Sequence, residues 1–178
     1  MLNIEFSILD FIQNHMRTAF GDIVMPMISK LGNGGFIWLC SAGVMCIFPK
    51  YRKYGIITLT ALALDVLLCN AILKPLVARM RPFTVNPDIE LLINAPKDFS
   101  FPSGHTAASF SAAFALLFSK NKLWIPSMIL AALIVFSRLY LYVHYPTDVF
   151  AGILLGLIVG ITANIICKVL LRKLKQNN

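Results

Sequence analysis

Long apolar runs separated by short polar segments dominate the chain, and within each run the apolar residues are nearly continuous rather than alternating. A helix of about 20 residues crosses the hydrocarbon core of a bilayer, and tilt or local thinning accommodates somewhat longer or shorter helices. Five runs reach or approach this length, and the pattern therefore predicts a transmembrane helix in each. The five runs are residues 35–48, 54–73, 103–119, 123–143 and 147–171.

Residues 3–31 form a sixth, amphipathic candidate, because apolar positions are mixed there with ionisable ones such as Glu5 and Asp10. Such a segment lies on the membrane interface or crosses the membrane against other helices. Residues 32–35 follow with the sequence Gly-Asn-Gly-Gly, which predicts a break before the next run. With the sixth segment counted as a span, the sequence predicts an all-α, polytopic membrane helix bundle of six transmembrane helices.

Basic residues cluster in three connecting segments, and cytoplasmic loops of membrane proteins carry an excess of Lys and Arg. The three basic segments are residues 50–53, 120–122 and 168–175. We therefore expect all three in the cytoplasm, which places residues 75–102 and the turn around His144 on the extracytoplasmic face. The N-terminus is expected inside if residues 1–31 span the membrane and outside if they lie on its surface.

Composition agrees with a membrane protein. Hydrophobic residues make up 58% of the 178 positions and the mean hydropathy is +0.75, which excludes an ordinary soluble domain. The net charge of +8 lies in loops and the C-terminal tail, which fits membrane topology, so no nucleic-acid partner is predicted. The four cysteines lie in apolar runs without metal-site spacing and are interpreted as buried thiols. No linker divides the chain, so residues 1–178 are predicted to form one domain.

Polar and ionisable residues interrupt the apolar pattern in three stretches beside predicted spans on the outer face. These stretches are residues 74–82, 102–105 and 137–148. They bring Lys74, Arg81 and Arg138 toward one membrane surface with few acids nearby. Such a cluster favours an anion, since guanidinium groups match phosphate oxygens and lysine adds a point charge. Ser103 and Gly104 begin an apolar helix whose free N–H groups provide further anion donors.

Two histidines and one carboxylate complete the set. His105 and His144 have an ordinary pKa of about 6.5, which suits one neutral nucleophile or base and one protonated acid. Asp148 follows His144 by four residues, so its carboxylate can hold one imidazole nitrogen as N–H and leave the other free to attack. The set indicates phosphoryl transfer through a phosphohistidine. His144 and Asp148 also have the spacing of two metal ligands, but the neighbouring cations repel a dication, so neither metal nor cofactor is predicted.

Three sequence patterns, taken in order, resemble the signature of the type 2 phosphatidic acid phosphatase superfamily. They are K-x6-R-P at residues 74–82, P-S-G-H at residues 102–105 and S-R-x5-H-x3-D at residues 137–148. Each pattern alone is weak, whereas all three at the ends of membrane spans are specific. The resemblance covers residues 54–160, which we expect to form the catalytic core.

The resemblance implies an integral-membrane, metal-independent phosphatase with its active site on the extracytoplasmic face. It implies that His144 is the nucleophile, that His105 protonates the leaving group and that Asp148 orients His144. The implied phosphate-binding residues are Lys74, Arg81, Ser103, Gly104 and Arg138. Many members have glycine two residues before the second histidine, where this chain has Tyr142. The bulky ring is expected to narrow the pocket or to touch the lipid.

Small members with little beyond the core often act as polyprenyl diphosphatases, so we expect conversion of undecaprenyl diphosphate to undecaprenyl phosphate. Phosphatidylglycerol phosphate or phosphatidate is the alternative substrate. Soluble vanadium haloperoxidases resemble the superfamily too, but the long apolar spans argue against that class. A non-catalytic lipid-binding or transport protein is the alternative from a different class. The expected partners are the lipid phosphate and membrane lipids, and the oligomeric state stays open.

Four polar residues that are not fixed positions of the motifs receive structural interpretations. Arg79 and Lys97 are interpreted as interface anchors, which is the usual role of basic residues beside a span. Asp65 lies inside residues 54–73, with Asn70 further along the same run. We expect this pair to form hydrogen bonds between helices rather than to relay protons.

Overall fold

The computed structural model describes residues 2–176, with side chains placed for residues 2–173, and its regular structure is helical. The helices are α1 (Leu2–Phe11), α2 (Ala19–Leu31), α3 (Phe36–Ile47), α4 (Arg52–Asp65), α5 (Lys74–Val77), α6 (Pro82–Val85), α7 (Gly104–Phe118), α8 (Trp124–Tyr140) and α9 (Pro146–Gln176). Further helical turns are Ile12–Met16 and Val66–Leu73, both π-helical, and the 3-10 turn Asn33–Gly35. The predicted all-α class is confirmed, while both ends of the predicted 1–178 domain and the side chain of Lys175 lie outside the described residues.

Two helical stretches are long and apolar enough to cross a membrane, Arg52–Val85 and Pro146–Lys173. The pair formed by α2 and the continuous stretch Asn33–Ile47 is bent by 47° and qualifies together as a third, broken span. Helices α7 and α8 are apolar but shorter, at 15 and 17 residues. Among the described residues, length and composition therefore support a membrane protein with two or three spans, and the predicted six are not shown.

Helix α9 packs unusually close to α7 because three glycines spaced four residues apart face α7. The three are Gly152, Gly156 and Gly160. A Cβ added to the middle glycine would lie 2.7 Å from the Cβ of Phe110, and one added to the first would lie 3.0 Å from the carbonyl oxygen of Ser103. Small residues at this spacing let membrane helices approach closely. The approach fixes the first turn of α7 beside the first turn of α9, where two of the motifs lie.

The two ends of the bundle carry different residues. At one end, the basic connections lie close to Tyr54 and Trp124, which pack against the core side chains Met45 and Leu116. The opposite end collects α5, residues 86–103, the start of α7, the end of α8 and the start of α9. All three sequence motifs lie at that second end, which we call the site end.

The N-terminal segment, predicted as one amphipathic element over residues 3–31, is broken into two helices. Arg17 and Thr18 adopt an extended backbone between α1 and α2, and the Thr18 hydroxyl caps α2 by accepting the Gly21 N–H at 3.0 Å. The break predicted at residues 32–35 is confirmed. Gly34 and Gly35 have φ angles of 57° and 70°, which glycine adopts without steric cost.

Candidate active site

A cavity of about 540 Å³ opens at the site end of the bundle. Five of the residues predicted for the site line it directly: Lys74, Arg81, His105, Arg138 and His144. The three remaining predicted residues, Ser103, Gly104 and Asp148, lie behind or beside this lining. Side chains from α2 and from residues 92–98 complete the wall. The fold thus brings all eight predicted residues to one place.

Lys74 and Arg81 share an acidic partner that the sequence analysis did not assign to the site. Asp98 forms an ion pair with Lys74 and a second one with Arg81, whose Nη2 lies 2.7 Å from Asp98 Oδ1. Partial burial opposes ionisation of Asp98, but the two cations outweigh it and hold the pKa of its carboxyl well below the usual range. The Asp98 side chain is 53% exposed at the rim. The expectation of few nearby acids is therefore wrong, because a carboxylate lies between these two cations.

His144 lies in the turn between α8 and α9 and is only 1% exposed. Its Nε2 is 3.2 Å from Arg81 Nη1, and its Nδ1 is 3.4 Å from Asp148 Oδ2. Burial and the surrounding cations, Arg81 foremost, lower the pKa of His144 well below 6.5. The ring is therefore neutral at neutral pH. Both neighbours favour the tautomer that donates Nδ1–H to the carboxylate and turns the Nε2 lone pair toward the guanidinium.

The Asp148 carboxylate has partners at both oxygens. Oδ2 accepts hydrogen bonds from Ser100 Oγ at 2.5 Å and from the Tyr145 N–H at 2.9 Å, in addition to facing His144. Oδ1 accepts from Arg79 Nη1 at 2.6 Å. Asp148 itself is fully buried, so these donors replace the water that an ionised carboxylate would otherwise require.

His105 is less enclosed than His144. It lies in the first turn of α7, and its Nε2 is 2.8 Å from Asn33 Oδ1 in the turn between α2 and α3. An amide oxygen only accepts, so Nε2 carries hydrogen in this contact. Beside it, a Cβ added to Gly104 would lie 3.3 Å from Asn70 Oδ1 and 3.7 Å from Lys74 Nζ. Glycine therefore keeps this part of the wall open.

Ser103 and Arg138, two of the predicted phosphate ligands, differ in how many of their polar atoms already form hydrogen bonds within the protein. Ser103 is fully buried and caps α7, since its Oγ accepts from Thr106 N–H at 3.5 Å and from Thr106 Oγ1 at 2.9 Å. Arg138 donates from Nη1 to Ser29 Oγ of α2, while its buried Nε has no hydrogen-bond partner among the described residues. Arg138 thus retains an unused donor, whereas the Ser103 side chain serves the helix end.

Tyr142 has a different environment from the one expected. Its φ of 57° is a left-handed conformation that residues other than glycine seldom adopt, which gives a physical reason for glycine at this position. Its ring is 1% exposed and packs against Leu9 of α1, and its hydroxyl donates to Asp10 Oδ1 at 2.8 Å. The expectation that Tyr142 narrows the pocket or touches lipid is therefore wrong, since the side chain holds α1 instead.

The interpretation of Arg79 as an interface anchor is also wrong, because its guanidinium reaches inward to Asp148 and to Glu5 of α1. Asn33 and Ser100 likewise contact the two histidines and lie outside the motifs that predicted the site. Of these residues, only Arg79 could have been predicted from the sequence as part of the site, because it is a charged residue between Lys74 and Arg81 of the first motif. The others are brought in by tertiary packing.

A second cavity of about 640 Å³ adjoins the first and shares Lys74, Asp98 and His105 with it. Three leucines of α3 and α4 and three glycines before α3 form part of its wall. Asp65 and Asn70 also line it, and Asp65 Oδ1 has no hydrogen-bond partner among the described residues. The expected interhelical hydrogen bond is therefore not found at this buried oxygen.

Comparison with known proteins places this site in a family. Residues 54–170 match the PAP2 superfamily. An undecaprenyl-diphosphatase of Sulfolobus acidocaldarius is 36% identical over 157 residues, covering 86% of this chain and 75% of the relative. Phosphatidylglycerophosphatase B of Bacillus subtilis is 35% identical over 156 residues, covering 80% and 73%. The crystal structure of Aquifex aeolicus LpxE has a TM-score of 0.77 and 31% identity, covering 90% of this chain and 94% of that one.

An all-helical membrane protein with cations gathered around a buried histidine and carboxylate belongs to the class of phosphate-processing membrane enzymes. More specifically, this chain belongs to the PAP2 superfamily, since the match extends over more than half of its length. It is therefore a membrane lipid phosphatase, a hydrolase of a metal-independent family. The resemblance drawn from the three motifs is confirmed.

Proposed function

We propose that this enzyme removes the terminal phosphate of a lipid phosphate or diphosphate through a phosphohistidine, and that its substrate is undecaprenyl diphosphate. The setting of His144 supports this function most directly. The ring is neutral, lines the cavity, and is held between Asp148 at Nδ1 and Arg81 at Nε2. A neutral imidazole with one oriented free nitrogen is a nucleophile, and the adjacent guanidinium binds the phosphate to be attacked.

Substrate binding begins with an exchange of anions. The terminal phosphate displaces the Asp98 carboxylate from Lys74 and Arg81, which then bind the phosphate oxygens. Arg138 contributes the donor that is unused in the free enzyme. Three cations around one phosphoryl group stabilise the charge that spreads over its equatorial oxygens in the transition state.

The first chemical step forms the phosphoenzyme. His144 Nε2 attacks phosphorus in line, a P–N bond forms, and the bond from phosphorus to the leaving oxygen breaks. The bound phosphate anion offsets the surrounding cations, so that His105 is protonated in the complex. His105 then gives its proton to that oxygen, and the lipid leaves with one phosphate fewer. Asp148 accepts the Nδ1–H throughout and stabilises the positive charge that His144 gains.

The second step reverses these roles with water. His105, now neutral, takes a proton from water, whose oxygen attacks the phosphoryl group as the P–N bond breaks. Inorganic phosphate leaves, and His144 returns to its neutral form. The net reaction consumes one water and yields inorganic phosphate and the dephosphorylated lipid product.

The substrate assignment is supported by the relative from Sulfolobus acidocaldarius named as an undecaprenyl-diphosphatase. The largely apolar second cavity adjoins His105, on the side where the leaving group departs, and suits the lipid part of a substrate. Phosphatidylglycerol phosphate is the second candidate, because the phosphatidylglycerophosphatase of Bacillus subtilis is similarly related.

Phosphate release by the purified protein in detergent tests the assignment across undecaprenyl diphosphate, phosphatidylglycerol phosphate and phosphatidate. We expect the highest kcat/KM with undecaprenyl diphosphate. A higher value with phosphatidylglycerol phosphate would transfer the assignment to the second candidate. Release no faster than that of the His144→Ala variant on all three lipids would favour a non-catalytic lipid-binding or transport protein.

The path of the N-terminal residues bears on the number of crossings. Glu5 contacts Thr147, Gln13 donates to the Tyr140 carbonyl at 2.7 Å, and Ser29 contacts Arg138. Residues 5–29 therefore keep to the site end. We propose five crossings, by α3, α4 with its π-helical extension, α7, α8 and α9, with α1 and α2 along the extracytoplasmic surface instead of the sixth span.

Cysteine accessibility in intact cells tests this topology. In a background without the four native cysteines, single cysteines replace Ser7 in α1, Asp88 beside the cavity, or Lys122 in a basic loop. Five crossings predict labelling of Ser7→Cys and Asp88→Cys by an impermeant thiol reagent, with Lys122→Cys labelled only after permeabilisation. Labelling of Asp88→Cys but not Ser7→Cys in intact cells would restore the six-span topology with a cytoplasmic N-terminus.

A further inference from the structure

Arg79 joins the N-terminal helix to the carboxylate behind the nucleophile. Its Nη1 donates to Asp148 Oδ1 at 2.6 Å and to Thr147 Oγ1 at 2.8 Å, while its Nη2 donates to Glu5 Oε2 at 2.6 Å. The guanidinium carbon lies 3.7 Å from the ring centroid of Tyr145. One planar cation thus connects α1, α9 and the turn that carries His144.

These contacts differ from those of a phosphate ligand. Arg79 does not line the cavity, in contrast to Arg81 two residues later. Its donors face two carboxylates that are almost fully enclosed, Glu5 at 4% exposed and Asp148 at 0%. Thr147 supplies one more donor to Glu5. Buried charges of this kind are stable only while each keeps its partners. The three charged groups, Glu5, Arg79 and Asp148, therefore hold one another in place.

Arg79 limits the rotation of the Asp148 carboxylate. Among the described residues, Arg79 is the hydrogen-bond partner of Oδ1, whereas Oδ2 serves Ser100, Tyr145 and His144. The terminal torsion of an aspartate is soft, so a carboxylate held at one oxygen rotates more freely than one held at both. The contact from Oδ2 to His144 Nδ1 is already long, at 3.4 Å, and a rotation would break it.

We propose that Arg79 and Glu5 form a positioning pair that fixes Asp148, and through Asp148 the nucleophile His144, so that helix α1 is part of the catalytic machinery. This role rests on the phosphohistidine mechanism proposed above. Glu5 lies outside residues 54–170, which match the PAP2 superfamily. The pair therefore combines a residue of the family core with one that the core does not contain.

The same helix has a second attachment to the turn. Asp10 of α1 accepts the hydrogen bond from the Tyr142 hydroxyl, two residues before His144. Phe6 of α1 meets the Tyr145 ring edge-to-face at 5.7 Å between centroids, one residue after His144. Helix α1 thus contacts the turn on both sides of the nucleophile, and the ionic contact through Arg79 is the one that reaches Asp148.

The test compares full-length variants in detergent: Arg79→Ala, Arg79→Lys, Glu5→Gln and the double variant Arg79→Ala with Glu5→Gln. We expect Arg79→Ala to lower kcat about 10- to 100-fold with KM changed less than about threefold, as for other residues that orient a functional side chain. Arg79→Lys keeps the charge but loses the fork, so its kcat should fall between Arg79→Ala and wild type. Glu5→Gln should lower kcat less, by about 3- to 10-fold.

The double variant addresses both coupling and folding. The Arg79→Ala variant leaves the Glu5 carboxylate buried without its cation, which could prevent folding. The double variant removes both charges and therefore remains informative in that case. We expect its kcat to be no lower than that of Arg79→Ala, since residues acting through one contact are not additive. The matched control is Arg17→Ala, which breaks the other N-terminal ion pair, Arg17 with Asp22, away from the cavity. Its kcat should stay within about twofold of wild type.

Rapid-quench measurement of phosphohistidine formation, with the unfolding temperature of each variant, separates positioning from stability. Positioning predicts slower phosphoenzyme formation in protein that is folded at the assay temperature. Wild-type kcat in the folded double variant would overturn the proposal, as would a raised KM with unchanged kcat, which marks a substrate ligand. If His144→Ala kept its turnover, the phosphohistidine mechanism itself would fail. If His144→Ala were inactive and the double variant fully active, only the positioning pair would fail.

Discussion

The two histidines of the site are held very differently. His144 lies in a tightly packed turn at the cavity wall, with Arg81, Asp148 and Ser100 around its ring. His105 lies in the first turn of α7 at the junction of the two cavities, and among the described residues its ring has one hydrogen-bond partner, the Asn33 amide. The proposed nucleophile is thus fixed before substrate arrives, whereas the proposed acid lies in an open region that lipid parts of different shape can occupy.

The different settings of the two histidines give a physical reason why relatives in one family are named for different lipids. Attack on phosphorus needs one geometry whatever the lipid, so a rigid nucleophile serves all substrates. The leaving group differs between substrates, and the residue that protonates it has to accommodate that variation. Residues around His144 should therefore set the rate of phosphoenzyme formation, while residues around His105 and the second cavity should set substrate preference.

The largest effect is expected from removal of the nucleophile. His144→Ala should lower kcat by about 10⁴-fold or more, because a residue that forms the covalent intermediate has no substitute. Phosphate release in detergent, with the elution volume and unfolding temperature as controls for folding, measures this. Residual turnover within tenfold of wild type in folded protein would contradict the role of His144.

Removal of the acid should depend on the leaving group. His105→Ala should lower kcat about 10²- to 10⁴-fold on a lipid phosphate, whose alkoxide leaves poorly without a proton. On a nitrophenyl phosphate analogue, whose leaving group needs no proton, the loss should be much smaller. His144→Ala should stay inactive on both. Equal losses for His105→Ala on the two substrates would mean that His105 acts in some other way than as the acid.

Removal of the Asp98 charge should have a smaller effect in the opposite direction, because it should strengthen anion binding. Because its carboxylate competes with phosphate for Lys74 and Arg81, Asp98→Asn should lower the inhibition constant of orthovanadate and the KM about three- to tenfold. Asp88→Asn, an exposed change in the same loop, is the matched control and should leave both constants unchanged. Weaker vanadate binding in Asp98→Asn would show that Asp98 supports the anion site instead of competing for it.

The smallest effect concerns stability against pH. Burial and the neighbouring cations lower the pKa of His144, so below about pH 6.5 the unfolded chain binds a proton that the folded protein does not. Stability should therefore fall as the pH drops from about 7 to 5, by up to roughly 1 kcal/mol per unit from this group. Asp98, whose carboxyl pKa is lowered, stabilises the folded protein throughout this range and loses that contribution only as the pH falls below about 4.

The unfolding temperature of wild type and of His144→Asn between pH 7 and 5 measures this contribution. The variant lacks the titrating ring, so its unfolding temperature should decline less than that of wild type. Parallel declines in the two proteins would mean that the folded protein binds the proton at His144 as readily as the unfolded chain does.

Much of the fold and of the candidate site follows from local sequence. The apolar runs predicted α7 and α9, and the glycines before α3 predicted the bend there. The spacing of the motif residues indicates which side chains can meet, as it does for His144 and Asp148, which are four positions apart where α9 begins. These features depend on neighbours in sequence, which a single chain displays directly.

The rest depends on contacts between distant segments. Glu5 reaches Arg79 across 74 positions and Asn33 reaches His105 across 72, and no local pattern marks such pairs. A bulky ring at position 142, where many family members have glycine, predicts a contact with the pocket or the lipid, but the left-handed backbone places the ring against α1. The N-terminal segment looked like one element because its apolar residues continue, while Thr18 ends that continuity by capping a new helix.

Trapping of the phosphoenzyme shows whether His144 is phosphorylated during turnover. Purified protein is mixed with substrate radiolabelled in its terminal phosphate, quenched in alkali, where phosphohistidine survives, and digested for peptide mapping. We expect transient label on the peptide that contains His144, formed at least as fast as turnover, and none in His144→Ala. Label on a different residue, or steady turnover without any labelled protein, would contradict it.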